Sequence, residues 1–295
     1  MPPKLFHWLL FLLLSLIWGS SFMLMKEGMN ALSPGQVAAL RMITAGIVLL
    51  PFAFRGLRKI PRRKIPVVIL SGLLGNFFPA FLFCFSETQI DTSLAGILNA
   101  LTPLFTVLVG VAFFSLKAGR NKITGVTIGF AGLCLLFTSH GRIDTSHLSY
   151  GALILLATLL YGINVNLVSR YLQGIASLDI AAVAFGVLVI PSLAILYASG
   201  YFSLPLGASA VLRSTLAGSV LGIMGTAVAS ILFYMLMKRA GAVFASMVTY
   251  GIPFVAVVWG IWLGETIGII QVISMGIILC GVAVANRSEG HRRNL

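Results

Sequence analysis

Long apolar runs bounded by charges, prolines or polar turns recur along the whole chain. Ten of them approach the roughly 20 residues that a helix needs to cross a hydrocarbon core of about 30 Å. They cover residues 7–26, 36–54, 66–86, 93–115, 122–139, 150–169, 179–198, 214–237, 243–264 and 267–286. The pattern predicts an all-α polytopic membrane protein. The connections are mostly too short for a soluble domain, and the longest polar stretches, Arg55–Lys64 and Tyr201–Arg213, read as loops. Lys4 followed by Leu9–Ile17 has the start of a secretory signal. It lacks a small-x-small cleavage site and continues through Trp18-Gly19-Ser20-Ser21-Phe22 to Lys26, so it reads as a retained helix.

The runs also repeat. At a constant offset of 150, Gly72 meets Gly222, Gly75 meets Gly225, Phe83 meets Phe233, Ala95 meets Ala245, Pro103 meets Pro253 and Gly110 meets Gly260. Earlier in each half, Trp18-Gly19 meets Tyr161-Gly162 at offset 143 and Pro51 meets Pro191 at 140. The chain therefore divides into a five-helix repeat over 1–139, a second over 150–286 and a basic tail at 287–295. Five is odd, so the second copy enters the bilayer from the opposite side. Ten transmembrane helices as two inverted five-helix repeats are a signature of secondary transporters.

Composition agrees with the pattern: 59% of residues are hydrophobic and 9% charged, against about 25% charged in a soluble domain, and mean hydropathy is +1.03. The net charge of +13 raises the question of nucleic acid. Its placement answers for topology instead. Sixteen of the 20 basic residues fall on one side of the ten spans, Lys26, Arg142 and Arg213 on the other, and Arg41 within the second span. The positive-inside rule puts both termini in the cytoplasm, and Glu27, Glu87, Asp91, Asp144 and Glu265 on the outer side. The three cysteines, Cys84, Cys134 and Cys280, lie in apolar runs and read as small hydrophobes.

The stretches WGSSFMLMK (18–26), the Arg41…Pro51 helix, LNALTPLFTVLVG (98–110) and PFVAVVWGIWLGE (253–265) together resemble the drug/metabolite transporter superfamily, in particular its EamA-type permeases. The resemblance covers essentially residues 7–286. It implies ten helices, cytoplasmic termini, alternating access and export of small metabolites, amino acids among them; other branches move nucleotide sugars or sugar phosphates. Glu265 fits the family pattern, but its repeat partner is Ser115, followed by Lys117, so the chain departs from a symmetric pair of acids.

Polar side chains at membrane depth face a cavity or a partner helix. Asn76 is near the middle of the third span; Thr226, Ser230 and Tyr234 form an i, i+4, i+8 stripe on the eighth. Asn99, Thr102 and Thr106 share a face of the fourth span, and Ser246, Thr249 and Tyr250 sit together on the ninth. Trp18 with Ser21 matches Tyr161 with Asn164. All converge on the midplane, where a transporter site is expected, while Pro103 and Pro253 stand where a missing donor kinks or opens a helix. The alternative for each polar group is a bond across helices or back to its own backbone. Gly125-x-x-x-Gly129, Gly218-x-x-x-Gly222 and Gly260-x-x-x-Gly264 read as close helix packing.

No carboxylate lies deep within a span, so a cationic drug would lack a counter-ion. The expected cargo is a small neutral or zwitterionic metabolite with some apolar surface, exported through the bacterial inner membrane. Arg41 either snorkels to the interface or pairs with Glu27, Glu87 or Asp91, or else it binds a substrate carboxylate or serves an outer gate. Lys26 carries the same choice between interfacial anchor and gate. Glu87, Asp91 and Glu265 are candidates for a proton site, because burial on closure raises a carboxyl pKa. Proton coupling and passive facilitated diffusion both stay open, as do monomer and homodimer. A lipid-linked flippase or a channel-like facilitator is the alternative. An embedded enzyme fits poorly: His7, His140, His147 and His291 lie in tails, loops or span ends, and neither HExxH nor a phosphate loop occurs. No cofactor or metal is implied, and no nucleic acid partner.

Overall fold

The computed structural model describes residues 3–115, 120–137 and 145–286. Lys117, His140, Arg142, Asp144, His291 and the basic tail lie outside the described residues. Within them the chain forms ten helical spans: α1 Pro3–Met29, α2 Pro34–Lys59, α3 Arg62–Ser86, α4 Thr92–Phe113, α5 Arg120–Phe137, α6 Thr145–Tyr171, α7 Ser177–Ala198, α8 Ser209–Ala240, α9 Phe244–Trp262 and α10 Ile269–Asn286. Eight are long and apolar enough to cross a membrane; α5 and α10, of 18 residues each, complete the set.

The two expected loops are largely helical. Arg55, Arg58 and Lys59 occupy the last turns of α2, where cations complement the helix dipole and their stems cover apolar surface. Tyr201–Ser203 forms a 3-10 turn, and α8 starts four residues before Arg213. At the other end of α2, Ser33 and Gln36 make a capping box with Pro34 in the first turn.

Two helices in each half are interrupted, the first pair at matching places and the second about a turn out of register. In α3 the segment Leu73–Phe77 winds as a π-helix, and in α8 so does Leu221–Val228. Pro79 follows the first and explains it locally, since its missing N–H leaves a carbonyl one turn back to be accommodated. In α4 a turn at Ala100–Leu101 separates Thr92–Asn99 from Thr102–Phe113, so Pro103 sits in the first turn of a new helix. In α9 the turn is at Met247, and Val248–Trp262 runs through Pro253 without a stop. The break on that side therefore precedes the proline by nearly two turns.

Packing follows the repeat residue by residue. A β-carbon at Gly19 of α1 would meet Val255 of α9, and one at Gly162 of α6 would meet Phe105 of α4; both pairs keep the 143 and 150 offsets. Likewise Gly225 lies against Ser21, and Gly75 against Asn164. Helix α2 pairs with α7 and α5 with α10, each helix against its own counterpart. Gly281 fits against the backbone of Gly125 and Gly129. Small residues allow this approach where lipid supplies no hydrophobic drive between helices. Gly264 has another job: at φ 87° it turns the chain after α9 in a left-handed conformation.

Contacts at the two ends fix the relative orientation. At one face, Ser214 Oγ donates to Glu27 O (2.9 Å), Ser86 Oγ to Tyr150 O (2.8 Å) and Gln36 Nε2 to Ser199 O (2.9 Å). At the basic face, Lys59 pairs with Asp179 (3.7 Å), Lys64 Nζ donates to Gln173 O (3.5 Å) and Lys238 Nζ donates to Ile175 O. Helix α6 thus begins at the face where α1 ends. The halves are inverted.

Candidate functional site

The interruptions open a cavity at the seam between the halves. Its walls come from α1, α2, α3, α4, α6, α8 and α9, and they enclose, with the open mouth, about 840 Å³ of space. Of the residues expected to bind, Trp18, Ser21, Asn76, Asn99, Thr102, Tyr161, Ser230, Tyr234 and Thr249 line it.

Two aromatic pairs form opposite walls and are exchanged by the repeat. Trp18 packs on Phe233 with centroids 5.1 Å apart, and Tyr161 stacks on Phe83 at 6.1 Å and 24°. Phe83 and Phe233 did not stand out as site residues, although their match at offset 150 was the available signal. The π segment also exposes a carbonyl: Trp18 Nε1 donates to Gly225 O at 3.0 Å, which fixes the indole plane. Across the cavity Ser230 Oγ donates to Asn76 Oδ1 at 3.3 Å. Thr102 Oγ1 donates to Asn99 O (2.8 Å), and Thr249 Oγ1 to Ser246 O (2.8 Å), each just after a helix interruption. These hydroxyls keep lone pairs free for a ligand.

Three expected residues stand outside the lining, each for a local reason. Thr226 lies within the π segment, where the extra residue per turn rotates it off the face of Ser230 and Tyr234. Asn164 accepts from Ser71 Oγ (2.7 Å) behind the wall. Tyr250 packs against the apolar core, because the turn at Met247 resets the face that α9 presents. Ser246, together with apolar Phe22, Met25, Val165 and Ile252, lines the cavity.

Arg41 lines the cavity and is 8% exposed. It makes none of the ion pairs expected with Glu27, Glu87 or Asp91; among the described residues no carboxylate lies within 4.0 Å of it. Its Nε donates to Thr226 Oγ1 at 2.5 Å, and Nη1 approaches Met25 Sδ at 4.0 Å. Thr226 Oγ1 in turn donates to Leu221 O (3.3 Å), so its oxygen is oriented to accept from Arg41. The repeat places no second cation opposite, since the position matching Arg41 by the Pro51–Pro191 offset is Ala181. The cavity is a symmetric aromatic slot with charge on one side only.

Above it, at the face opposite the basic one, three helices are tied together. Glu265, just past α9, accepts from the N–H groups of Thr92 (2.8 Å) and Ser93 (3.0 Å), capping α4 from a different helix. Lys26 at the end of α1 binds the same carboxylate at 3.3 Å and reaches Asp91 at 4.0 Å. Burial alone would raise the Glu265 pKa, but the Ser93 and Thr92 donors and Lys26 outweigh it and hold the carboxyl below its ordinary value. Glu265 is thus ionised. Among the described residues the matching contact at the basic face is a bond from Arg170 Nη1 to the carbonyl of Phe114 (3.2 Å), beside Ser115 at φ 57°.

Glu87 differs from both neighbouring acids. It ends α3 beneath the clamp, is 3% exposed, and neither carboxylate oxygen has a hydrogen-bond partner. Burial pushes its pKa well above the ordinary carboxylate value; Lys26 and Arg41 oppose the shift and Glu265 adds to it.

The EamA-like transporter family matches this chain twice, over residues 5–138 and 148–287. An uncharacterized inner membrane transporter of Escherichia coli, YedA, is 28% identical over 92% of this chain and 87% of its own. A probable terminal-alkyne amino-acid exporter of Streptantibioticus cattleyicolor is 24% identical over 94% of this chain and 92% of its own. A solved crystal structure superposes with a TM-score of 0.65 at 18% identity, covering 94% of this chain and 95% of that one, a likeness of fold.

Proposed function

Since the chain belongs to the EamA-like transporter family, we propose that it carries a small zwitterionic metabolite with an apolar side chain, such as an amino acid, by alternating access. The observation that carries this reading is Arg41: a buried cation in the cavity wall, oriented by Thr226 and lacking a carboxylate within 4.0 Å among the described residues. A cargo carboxylate supplies the missing charge, its side chain enters the slot between Trp18–Phe233 and Phe83–Tyr161, and the hydroxyls of Thr102, Ser230 and Thr249 meet its polar end.

The clamp of Lys26, Glu265 and Asp91 is the gate at one face, and among the described residues no such ion pair stands at the matching place on the other, which supports a conformation closed on the clamp side only. Residues Thr92–Asn99 of α4, the segment whose first turn Glu265 caps, are all buried. The excess of Lys and Arg on the opposite face supports a cytoplasmic location for that face and both termini, and a relative named as an inner membrane transporter supports the bacterial inner membrane. Export is the direction that the printed names of relatives support: an amino-acid exporter, and in Salmonella typhimurium a probable amino-acid metabolite efflux pump.

Counterflow in proteoliposomes tests the reading. Free phenylalanine loaded inside should accelerate entry of labelled phenylalanine with saturable kinetics, whereas phenethylamine, which lacks only the carboxylate, should not. Arg41→Gln should weaken phenylalanine binding about tenfold or more, the worth of a charge-assisted hydrogen bond. Equal transport of the amine, or unchanged affinity in Arg41→Gln, refutes it.

A further inference from the structure

Glu87 is a carboxyl group enclosed by protein with nothing to bond to, yet the groups around it are charged. Lys26 faces it from the end of α1, Arg41 from α2 and Glu265 from the segment after α9, while Cys84 stands one turn earlier on its own helix and Asp91 shares Lys26. Lys26 is engaged by Glu265 at 3.3 Å, so that cation is not available to Glu87 while the gate is shut. An ionised Glu87 in this closed arrangement would be a buried, unpaired charge, which costs several kcal/mol. Its two bare oxygens are therefore those of a neutral acid.

We propose that Glu87 is a proton-binding site of the transport cycle: it holds a proton while the clamp face is closed, and loses it to water on that face when the gate opens, becoming a competitor of the cargo carboxylate for Arg41. This inference rests on Arg41 as the cargo's partner. Opening separates Glu265 from α4, admits water to Glu87 and frees Lys26. The Glu87 O–H bond breaks, the proton leaves to water, and the new carboxylate draws the Arg41 guanidinium away from the cargo. Closing reverses the step, with the proton returning from the same side. No proton crosses the membrane in this scheme. Deprotonation of Glu87 assists release at one face and leaves the direction of net flow to the cargo gradient.

Two measurements decide it. Infrared spectra of the purified protein at neutral pH should show the deuterium-sensitive carbonyl band of a neutral carboxylic acid. The band should vanish in Glu87→Gln and weaken in Glu265→Gln, where the gate cannot close; no band that depends on Glu87, or one unaffected by Glu265→Gln, overturns the proposal. In oriented proteoliposomes, phenylalanine counterflow should quicken as the pH on the clamp face rises, stay flat as the pH on the basic face changes, and become slower by about tenfold and pH-independent in Glu87→Gln. A Glu87→Gln carrier that keeps the pH response of the wild type also overturns it. Failure of the wild-type protein to carry phenylalanine, with the infrared result intact, counts against the cargo assigned to Arg41 and leaves the proton site standing.

Discussion

Single residues at the gate titrate in opposite senses. Glu265 is held below its ordinary pKa by the Ser93 and Thr92 donors and by Lys26, so its contribution to closure is present above the unfolded carboxylate value, near 4.3, and is lost as pH falls through the depressed value. Glu87 runs the other way. Its raised pKa costs nothing below the unfolded value, and the cost accrues as pH rises towards the folded one. Thermal unfolding across pH should show both limbs: Glu265→Gln removes the loss on the acid side and Glu87→Gln removes the loss on the alkaline side. Interchanged effects would contradict the assignment. Both acids occur in the sequence as interfacial carboxylates, and nothing local separates them. Glu265 meets backbone N–H groups 172 and 173 residues away, which is a tertiary fact.

Among the elements, the interruptions were half legible. Pro103 opens a new helix as its missing donor predicts, whereas Pro253 is accommodated inside Val248–Trp262. The π segments were not foreseen. They explain why a stripe of Thr226, Ser230 and Tyr234, correct for an uninterrupted α-helix, splits into two cavity residues and one that orients Arg41. The glycine spacings divide similarly: Gly125 and Gly129 receive Gly281 of α10, while Gly264 is a turn. Gly281→Leu should force α5 and α10 apart and cost about 1–3 kcal/mol, read as a lower midpoint in thermal unfolding. Gly276→Leu, on the same helix with no atom within 4 Å of its would-be β-carbon, should be nearly silent.

For the molecule as a whole, inverted halves and a one-sided clamp make closure at the two faces chemically unequal. The clamp face is shut by an ion pair and a helix cap, whereas at the basic face the described residues put a single exposed carbonyl contact between α6 and α4 in the matching place. Replacing Lys26 and Glu265 together by cysteine and bridging the pair with a reducible bifunctional thiol reagent should abolish counterflow and leave Ser246→Cys in the cavity open to impermeant thiol reagents from the basic face only. Labelling from both faces would show that the clamp does not gate, and transport restored on reduction guards against a folding defect.

The number of spans, their inverted duplication and the family were written in the order of the residues, because hydropathy, charge asymmetry and the spacing of Gly, Pro and aromatics are one-dimensional records of burial in lipid. Most of the cavity lining was legible for the same reason: polar side chains at membrane depth are costly, so they gather where protein encloses them. Tertiary structure alone decided what those side chains do. Which side of a π turn Thr226 faces, which carboxylate takes Lys26, and that Glu87 is left bare beside Arg41 depend on helices far apart in sequence. A charge's energy is set by its nearest neighbours and the water it has lost.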